Sequence, residues 1–202
     1  MSKPASNPVN ADGEPIDVPV LVQQARNGDE SAFGELMQAY HQRVYGILVG
    51  MVRNPDDAGD LAQQTWIKVW NKLDTFKGDA DFYTWLYRVT TFVGLDFIRK
   101  RNRKREVEML DELAPERDPD SEMAPSLTSR PDQAAQQTEV RDVFDAALDT
   151  LSPEHRTALM LREVEGLSYD EIAKVMKCRR GTVMSRIFYA RKSMQEKLKE
   201  LR

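Results

Sequence analysis

Two stretches of this chain mix the side chains that recognise nucleic acid. In Lys77-Gly-Asp-Ala-Asp-Phe-Tyr-Thr-Trp-Leu-Tyr-Arg88, the rings of Phe82, Tyr83, Trp85 and Tyr87 lie among charges, and Phe92 follows. The same segment runs into Ile98–Arg105, where six of eight positions are basic. Flat rings stack on unpaired bases and cations follow the sugar-phosphate chain, which is what single-stranded DNA requires. An aromatic-walled pocket can also return the cost of extruding a base, about a few kcal/mol. A second reading fits the same residues. Phe82 and Trp85 suit a core, Tyr83 and Tyr87 suit either role, and a basic run suits a solvated helix end opposite the dipole.

The second stretch lies near the C-terminus. Residues 179–202 hold eight bases and two acids. Arg179, Arg180, Thr182, Ser185, Arg186 and Tyr189 fall off an apolar stripe formed by Val183, Ile187, Ala190, Met194, Leu198 and Leu201. Arginine can donate two hydrogen bonds to guanine, while further bases neutralise phosphate. A solvated basic helix in an ordinary bundle is the plainer alternative.

A third group sits in Asn54–Trp70. Asp56 and Asp57 are explained as partners of a helix N-terminus. Asp60, Gln63 and Gln64 beside Leu61 and Trp66 form a mixed patch of the kind that binds protein. Other chemistry is poorly supplied. The chain has two histidines and one cysteine, Cys178. That excludes a disulfide framework and argues against a metal site, so neither metal nor cofactor is expected. No P-loop, GxGxxG, metal-ligand spacing or nucleophile–histidine pairing is present, so an enzyme is not expected.

These residues need helices to position them. Ser168-Tyr-Asp-Glu171 is a capping-box pattern opening a short helix. A break at Lys177–Gly181 and a longer striped helix follow. Short helix, turn, longer helix is the layout of a helix-turn-helix, whose second helix enters a major groove. Upstream, Val140, Val143, Phe144, Ala147, Leu148 and Leu151 share helical spacing, and Ser152-Pro153 starts another helix that Gly166 stops. In the first half, helices are predicted over 17–27, 30–52, 55–74 and 82–103. Alternating strand patterns are absent.

Charge divides the chain further. The net charge of −4 hides a −8 segment at 106–139, which leaves +4 elsewhere. That segment is rich in Pro, Ser, Asp and Glu and reads as a linker. The expected fold is all-α, with two small helical domains joined by a flexible acidic linker, the C-terminal one a helix-turn-helix. The expected boundaries are a disordered tail at 1–17, a first domain at 18–105, the linker at 106–138 and a second domain at 139–202. No apolar run approaches a membrane span and the N-terminus has no signal-like core, so a cytoplasmic protein without membrane insertion is expected.

In order along the chain, these features resemble the extracytoplasmic-function sigma factors of bacterial RNA polymerase, in the sigma-70 family. Asp57-Ala-Gly-Asp-Leu-Ala-Gln-Gln-Thr-Trp-Ile-Lys-Val-Trp70 is similar to that family's core-polymerase-binding helix. Phe82-Tyr-Thr-Trp-Leu-Tyr-Arg88, with Asp96-Phe-Ile-Arg99, is similar to its segment for melting and reading the -10 element. Leu151-Ser-Pro-Glu-His-Arg156, Glu165-Gly-Leu-Ser-Tyr-Asp-Glu-Ile-Ala173 and Gly181-Thr-Val-Met-Ser-Arg186 resemble its -35-reading domain.

The resemblance implies a sigma factor that binds core polymerase, directs it to promoters and assists melting. Asp57, Asp60, Leu61, Gln63, Gln64 and Trp66 would grip the clamp coiled coil of the polymerase. Lys77, Gly78, Asp79, Tyr83, Tyr87, Arg88, Phe92, Arg99, Lys100 and Arg103 would serve the -10 element, with the Lys77–Asp81 loop holding a flipped base. Arg179, Arg180, Thr182, Ser185, Arg186, Tyr189 and Arg191 would serve the -35 element. The polymerase flap, promoter DNA and an anti-sigma factor are the further partners implied. The acidic linker would thread the polymerase toward the RNA path, or act only as a soluble tether. The chain departs from the family at Phe92, where Asn is usual, and at Met184 and Tyr189, where Arg is frequent. A stand-alone helix-turn-helix regulator is the competing function.

Overall fold

The computed structural model describes residues 8, 15–78, 80–112 and 144–200. Within them the elements are α1 (Val18–Arg26), α2 (Glu30–Val52), α3 (Pro55–Lys72), α4 (Phe82–Glu112), α5 (144–149), α6 (Pro153–Glu163), α7 (Tyr169–Met176) and α8 (Arg180–Glu200). A short 3-10 turn, Leu73–Thr75, extends α3. The described residues hold no β-strand, and none of their helices is long and apolar enough to cross a membrane. The chain is all-α, with the expected helix-turn-helix at α7–α8.

Side chains set the helix starts. Asp17, Asp29 and Asn54 each accept backbone N–H groups from the first turn of α1, α2 and α3. Pro55 then occupies a position whose N–H would go unused. Ser152 and Pro153 repeat the device at α6. Glu171 completes a reciprocal capping box with Ser168 at α7. Left-handed residues end two helices, Arg53 after α2 (φ 61°) and Lys177 after α7 (φ 50°). Gly166, at φ 70°, turns the chain between α6 and α7, where glycine carries no Cβ penalty.

Two expectations need adjustment. α4 runs to Glu112, past the predicted end at 103, because no glycine or proline breaks the helix before Pro115. Phe144, placed on an inward face by its spacing, is 47% exposed, while Ala147, Leu148 and Leu151 are buried. The remainder of the predicted linker, 113–138, lies outside the described residues, as do Val140 and Val143.

The packing is tighter than two tethered blocks would give. Leu36, Val44, Leu48, Val69 and Leu86 from α2–α4 belong to one continuous buried cluster with Leu161, Ile172, Val183 and Ile187 from α6–α8. Ala147, Leu148, Leu151, Leu159, Ala190 and Met194 form a second, smaller cluster. At Gly50, a Cβ would lie 2.6 Å from the Met160 methyl, so the missing side chain lets α2 approach α6 closely.

Candidate nucleic-acid interface

The helix-turn-helix places its polar side chains outward. Val183, Ile187 and Ala190 are essentially sealed, and Met194 is buried with them. That fixes the rotation of α8. Arg179, Arg180, Ser185 and Tyr189 are exposed, and Thr182 and Arg186 half-buried. Arg180 lies 3.7 Å from Asp170, and Arg186 reaches toward the Cys178 sulfur, with Nη1 at 3.8 Å. Ser185 Oγ donates to the Thr182 carbonyl at 2.9 Å. Arg191 donates twice to Glu163. Met184 (50% exposed), Phe188 (63%) and Tyr189 (58%) add an apolar strip to the same helix. Phe188 was not a sequence candidate. The signal was available, since it sits five positions from Val183 and off the stripe.

On α4 the aromatic candidates separate. Phe82 is core, packed edge-on against Tyr40 and Phe76. Trp85 is half-buried beside Phe76 and Phe82. Phe92 is 56% exposed, and Lys68 Nζ lies 5.5 Å from its ring centre. Arg99, Lys100 and Arg103 are exposed, Lys100 with Asp96 at 2.9 Å. Arg88 is half-buried. Lys77 and Gly78 are exposed at the mouth of a cavity of about 710 Å³, lined also by Tyr40, Arg43, Phe82, Tyr83 and Pro8. Asp79 lies outside the described residues.

Tyr83 and Tyr87 face the C-terminal helices. Tyr87 is fully buried, and its hydroxyl donates to Glu165 Oε2 at 2.7 Å. The Tyr83 hydroxyl donates to Glu171 Oε1. Burial and the adjoining carboxylates push both phenols well above their ordinary value. Burial also raises Glu165. At Glu171 burial again opposes the charge, but hydrogen bonds from Ser168 and Tyr83 outweigh it and hold the carboxyl low.

The patch on α3 differs from its sequence reading. Leu61 and Trp66 are core, 3% and 4% exposed, because α3 packs against both α2 and α4. Asp60, Gln63 and Gln64 are exposed, and Asp57 is half-buried, 3.7 Å from Arg101. Two neighbours join them that the sequence reading passed over. Ile67 is 61% and Trp70 37% exposed. With Phe33, Met37 and His41 of α2 they line an apolar groove of about 800 Å³. Positions 60, 63, 67 and 70 share one helix face, a spacing that could have found them. The Trp66 indole borders the groove, and its buried N–H has no acceptor among the described residues. Among the described residues, no cluster of three or more His, Cys, Asp or Glu could hold a metal.

Comparison with known proteins agrees with this division. The family model Sigma-70 region 2 matches residues 36–104, and Sigma-70, region 4 matches 141–194. The chain is 35% identical over 189 residues to the RNA polymerase sigma-H factor of Pseudomonas aeruginosa, covering 90% of this chain and 93% of that protein. It is 35% identical over 182 residues to the ECF RNA polymerase sigma-E factor of Escherichia coli K12, covering 90% and 94%. Among solved structures, the sigma factor RpoE bound to the anti-sigma factor NepR from Bartonella quintana matches with a TM-score of 0.60 and 26% identity, over 83% of this chain and 96% of that one. CnrH bound to the cytosolic domain of CnrY shares the fold, at a TM-score of 0.64 and 23% identity, over 90% and 96%.

Proposed function

This chain belongs to the sigma-70 family as an extracytoplasmic-function sigma factor, and from that premise we propose how its surfaces divide the work. As a sigma factor it binds core RNA polymerase and recognises promoters. Sigma factors are non-enzymatic initiation factors acting on polymerase inside the cell; a purely non-catalytic, cytoplasmic role for this chain is part of the proposal.

The α7–α8 unit, in a domain over 139–202, reads the -35 element. Arg179, Arg180 and Arg186 supply hydrogen bonds and charge, and Thr182, Ser185, Met184 and Tyr189 complete the groove-facing surface. Methionine cannot donate, so Met184 favours a thymine methyl over guanine. The first domain, over 18–105, serves the -10 element. Lys77, Gly78 and Tyr83 line the pocket proposed for a flipped base, and Asp79, Tyr87 and Arg88 are assigned to the same element by the family pattern. Phe92, Arg99, Lys100 and Arg103 continue the contact along α4.

Core polymerase is gripped by the α2–α3 groove. Asp57, Asp60, Gln63 and Gln64 provide its polar edge, and Ile67 and Trp70 its apolar floor. Leu61 and Trp66 act from behind, by holding α3 in place. The polymerase flap is a proposed partner of the second domain, and an anti-sigma factor a further one, by analogy with the complex of the relative RpoE.

The observation that carries this reading is the sealed stripe of α8, which leaves a basic, partly apolar face on the second helix of a helix-turn-helix. Reconstitution with core polymerase tests it. Promoter-directed transcripts that need both proteins are expected. Tight, specific duplex binding by the chain alone, with no dependence on polymerase, would favour the stand-alone regulator.

A further inference from the structure

One side of α1 faces the cavity proposed for a flipped base. Asp17 starts this helix by accepting the Val20 N–H at 3.2 Å. Leu21, Val22 and Ala25 are buried and anchor α1 in the core of the first domain. Beside that buried stripe runs a second one, Pro19, Gln23 and Arg26, spaced four and three residues apart, and it lines the cavity. Pro8 joins the same wall. It is buried, and its carbonyl accepts the Ile16 N–H at 3.1 Å, which ties it to the approach to α1. The cavity of about 710 Å³ is therefore built by α1 and Pro8 as well as by α2 and the segment from Phe76 to Tyr83.

The walls differ in chemistry. Tyr40, Phe76 and Phe82 supply flat rings, the surface on which a base stacks. Arg26 and Lys77 supply positive charge from separate elements, and neither side chain forms an ion pair among the described residues. Gln23 is exposed and supplies an amide, with a donor and an acceptor side by side. Asp81, also in the wall, can only accept when ionised. A nucleotide presents a flat face, an edge of donors and acceptors, and a phosphate, and the cavity has a counterpart for each. The dipole of α1 alone favours a cation in its last turn, where Arg26 stands. It does not account for an amide and a guanidinium three positions apart on the side that lines the cavity.

We propose that α1 is part of the -10 reader: Gln23 hydrogen-bonds the edge of the base held in the cavity, and Arg26 binds the phosphate beside it. This rests on the assignment of that cavity to a flipped -10 base. It makes the first helix, and not only α4 and the loop before it, a determinant of promoter choice.

The holoenzyme formed from core polymerase and the full chain tests this by titration with fluorescent single-stranded oligonucleotides. Each carries the -10 block that the wild-type protein selects, intact or with an abasic site at one position. One abasic position should lose the most affinity, and it marks the base in the cavity. Gln23→Ala should weaken binding of the intact strand about tenfold, and leave binding of the strand abasic at that position unchanged. Gln23→Glu keeps the size but removes the donor, and should change the preferred base at that position alone. Arg26→Gln should weaken all strands equally and lower the salt slope by ~0.7, as for one phosphate contact on a single strand. Ala80→Trp, which fills the cavity from its loop, is the control for the cavity itself and should abolish the preference at that position. Unchanged affinity for core polymerase reports the fold of each variant.

Gln23 variants that bind every strand as the wild type does, or that lose as much affinity for the abasic strand as for the intact one, would overturn base reading by α1. An unchanged salt slope in Arg26→Gln would overturn the phosphate contact. If Ala80→Trp abolishes the preference while the α1 variants do not alter it, the cavity holds the base and the role of α1 falls alone. If neither the α1 variants nor Ala80→Trp changes any affinity, the assignment of the cavity falls with it.

Discussion

Phe92 and Arg186 differ in what they can tell DNA. Phe92 stands exposed on α4 with Lys68 beside its ring. A phenyl ring has no donor or acceptor, so any base it touches is read by apolar contact such as a thymine methyl. Phe92→Asn should change the preferred base at the upstream edge of the -10 element in selected promoters. Identical selections would reduce Phe92 to a surface ring. Arg186 is half-buried beside Cys178 and leaves its guanidinium near the front of α8. Arg186→Ala should weaken -35 use by ~1–3 kcal/mol if the residue reads a base with paired hydrogen bonds. The loss would then be confined to promoters carrying that base. A uniform loss, with a salt slope lower by about one unit, would mark a phosphate contact instead. Met184→Arg should move one -35 position toward guanine.

At the scale of the element, the groove on α3 and the cap on α7 make separate demands. Ile67 is among the most exposed large apolar residues described. Ile67→Glu should weaken binding to core polymerase by ~2 kcal/mol or more, as expected for a central interface contact, while the fold stays intact. Undiminished affinity in a fluorescence titration would move the interface elsewhere. Ser168 starts the helix-turn-helix by accepting the Glu171 N–H. Ser168→Ala should lower unfolding stability by ~1 kcal/mol in urea denaturation. An unchanged midpoint would mean that water replaces the cap without cost.

Much of each element could be read from sequence. Capping residues and prolines marked the starts of α3, α6 and α7, because those signals act within a few residues. The α8 stripe fixed its own rotation. Periodicity was less informative on α3, which buries residues against α2 and α4 at once. There Leu61 and Trp66 looked like part of a surface because Asp60, Gln63 and Gln64 flank them, while Ile67 and Trp70 passed as ordinary apolar positions.

At the scale of the molecule, the join between the units was not legible. Tyr87 and Glu165 are 78 positions apart, and Tyr83 and Glu171 are 88 apart. No local pattern pairs residues across such a separation, and each tyrosine suited either a core or a DNA surface. The acidic segment between the domains also suggested independence. Yet the two helical sets share one apolar cluster, and the hydroxyls of Tyr83 and Tyr87 donate across the join.

One chain brings polymerase to a promoter, and its two helical domains are proposed to read DNA through separate surfaces. Transcription by core polymerase plus this chain, from a library randomised across both promoter elements, measures it most directly. The predicted result is selection of two short sequence blocks at a fixed spacing. Arg186→Ala should alter only the upstream block and Phe92→Asn only the downstream one. Transcripts without selection at either block, or a single selected site bound equally well without polymerase, would contradict it.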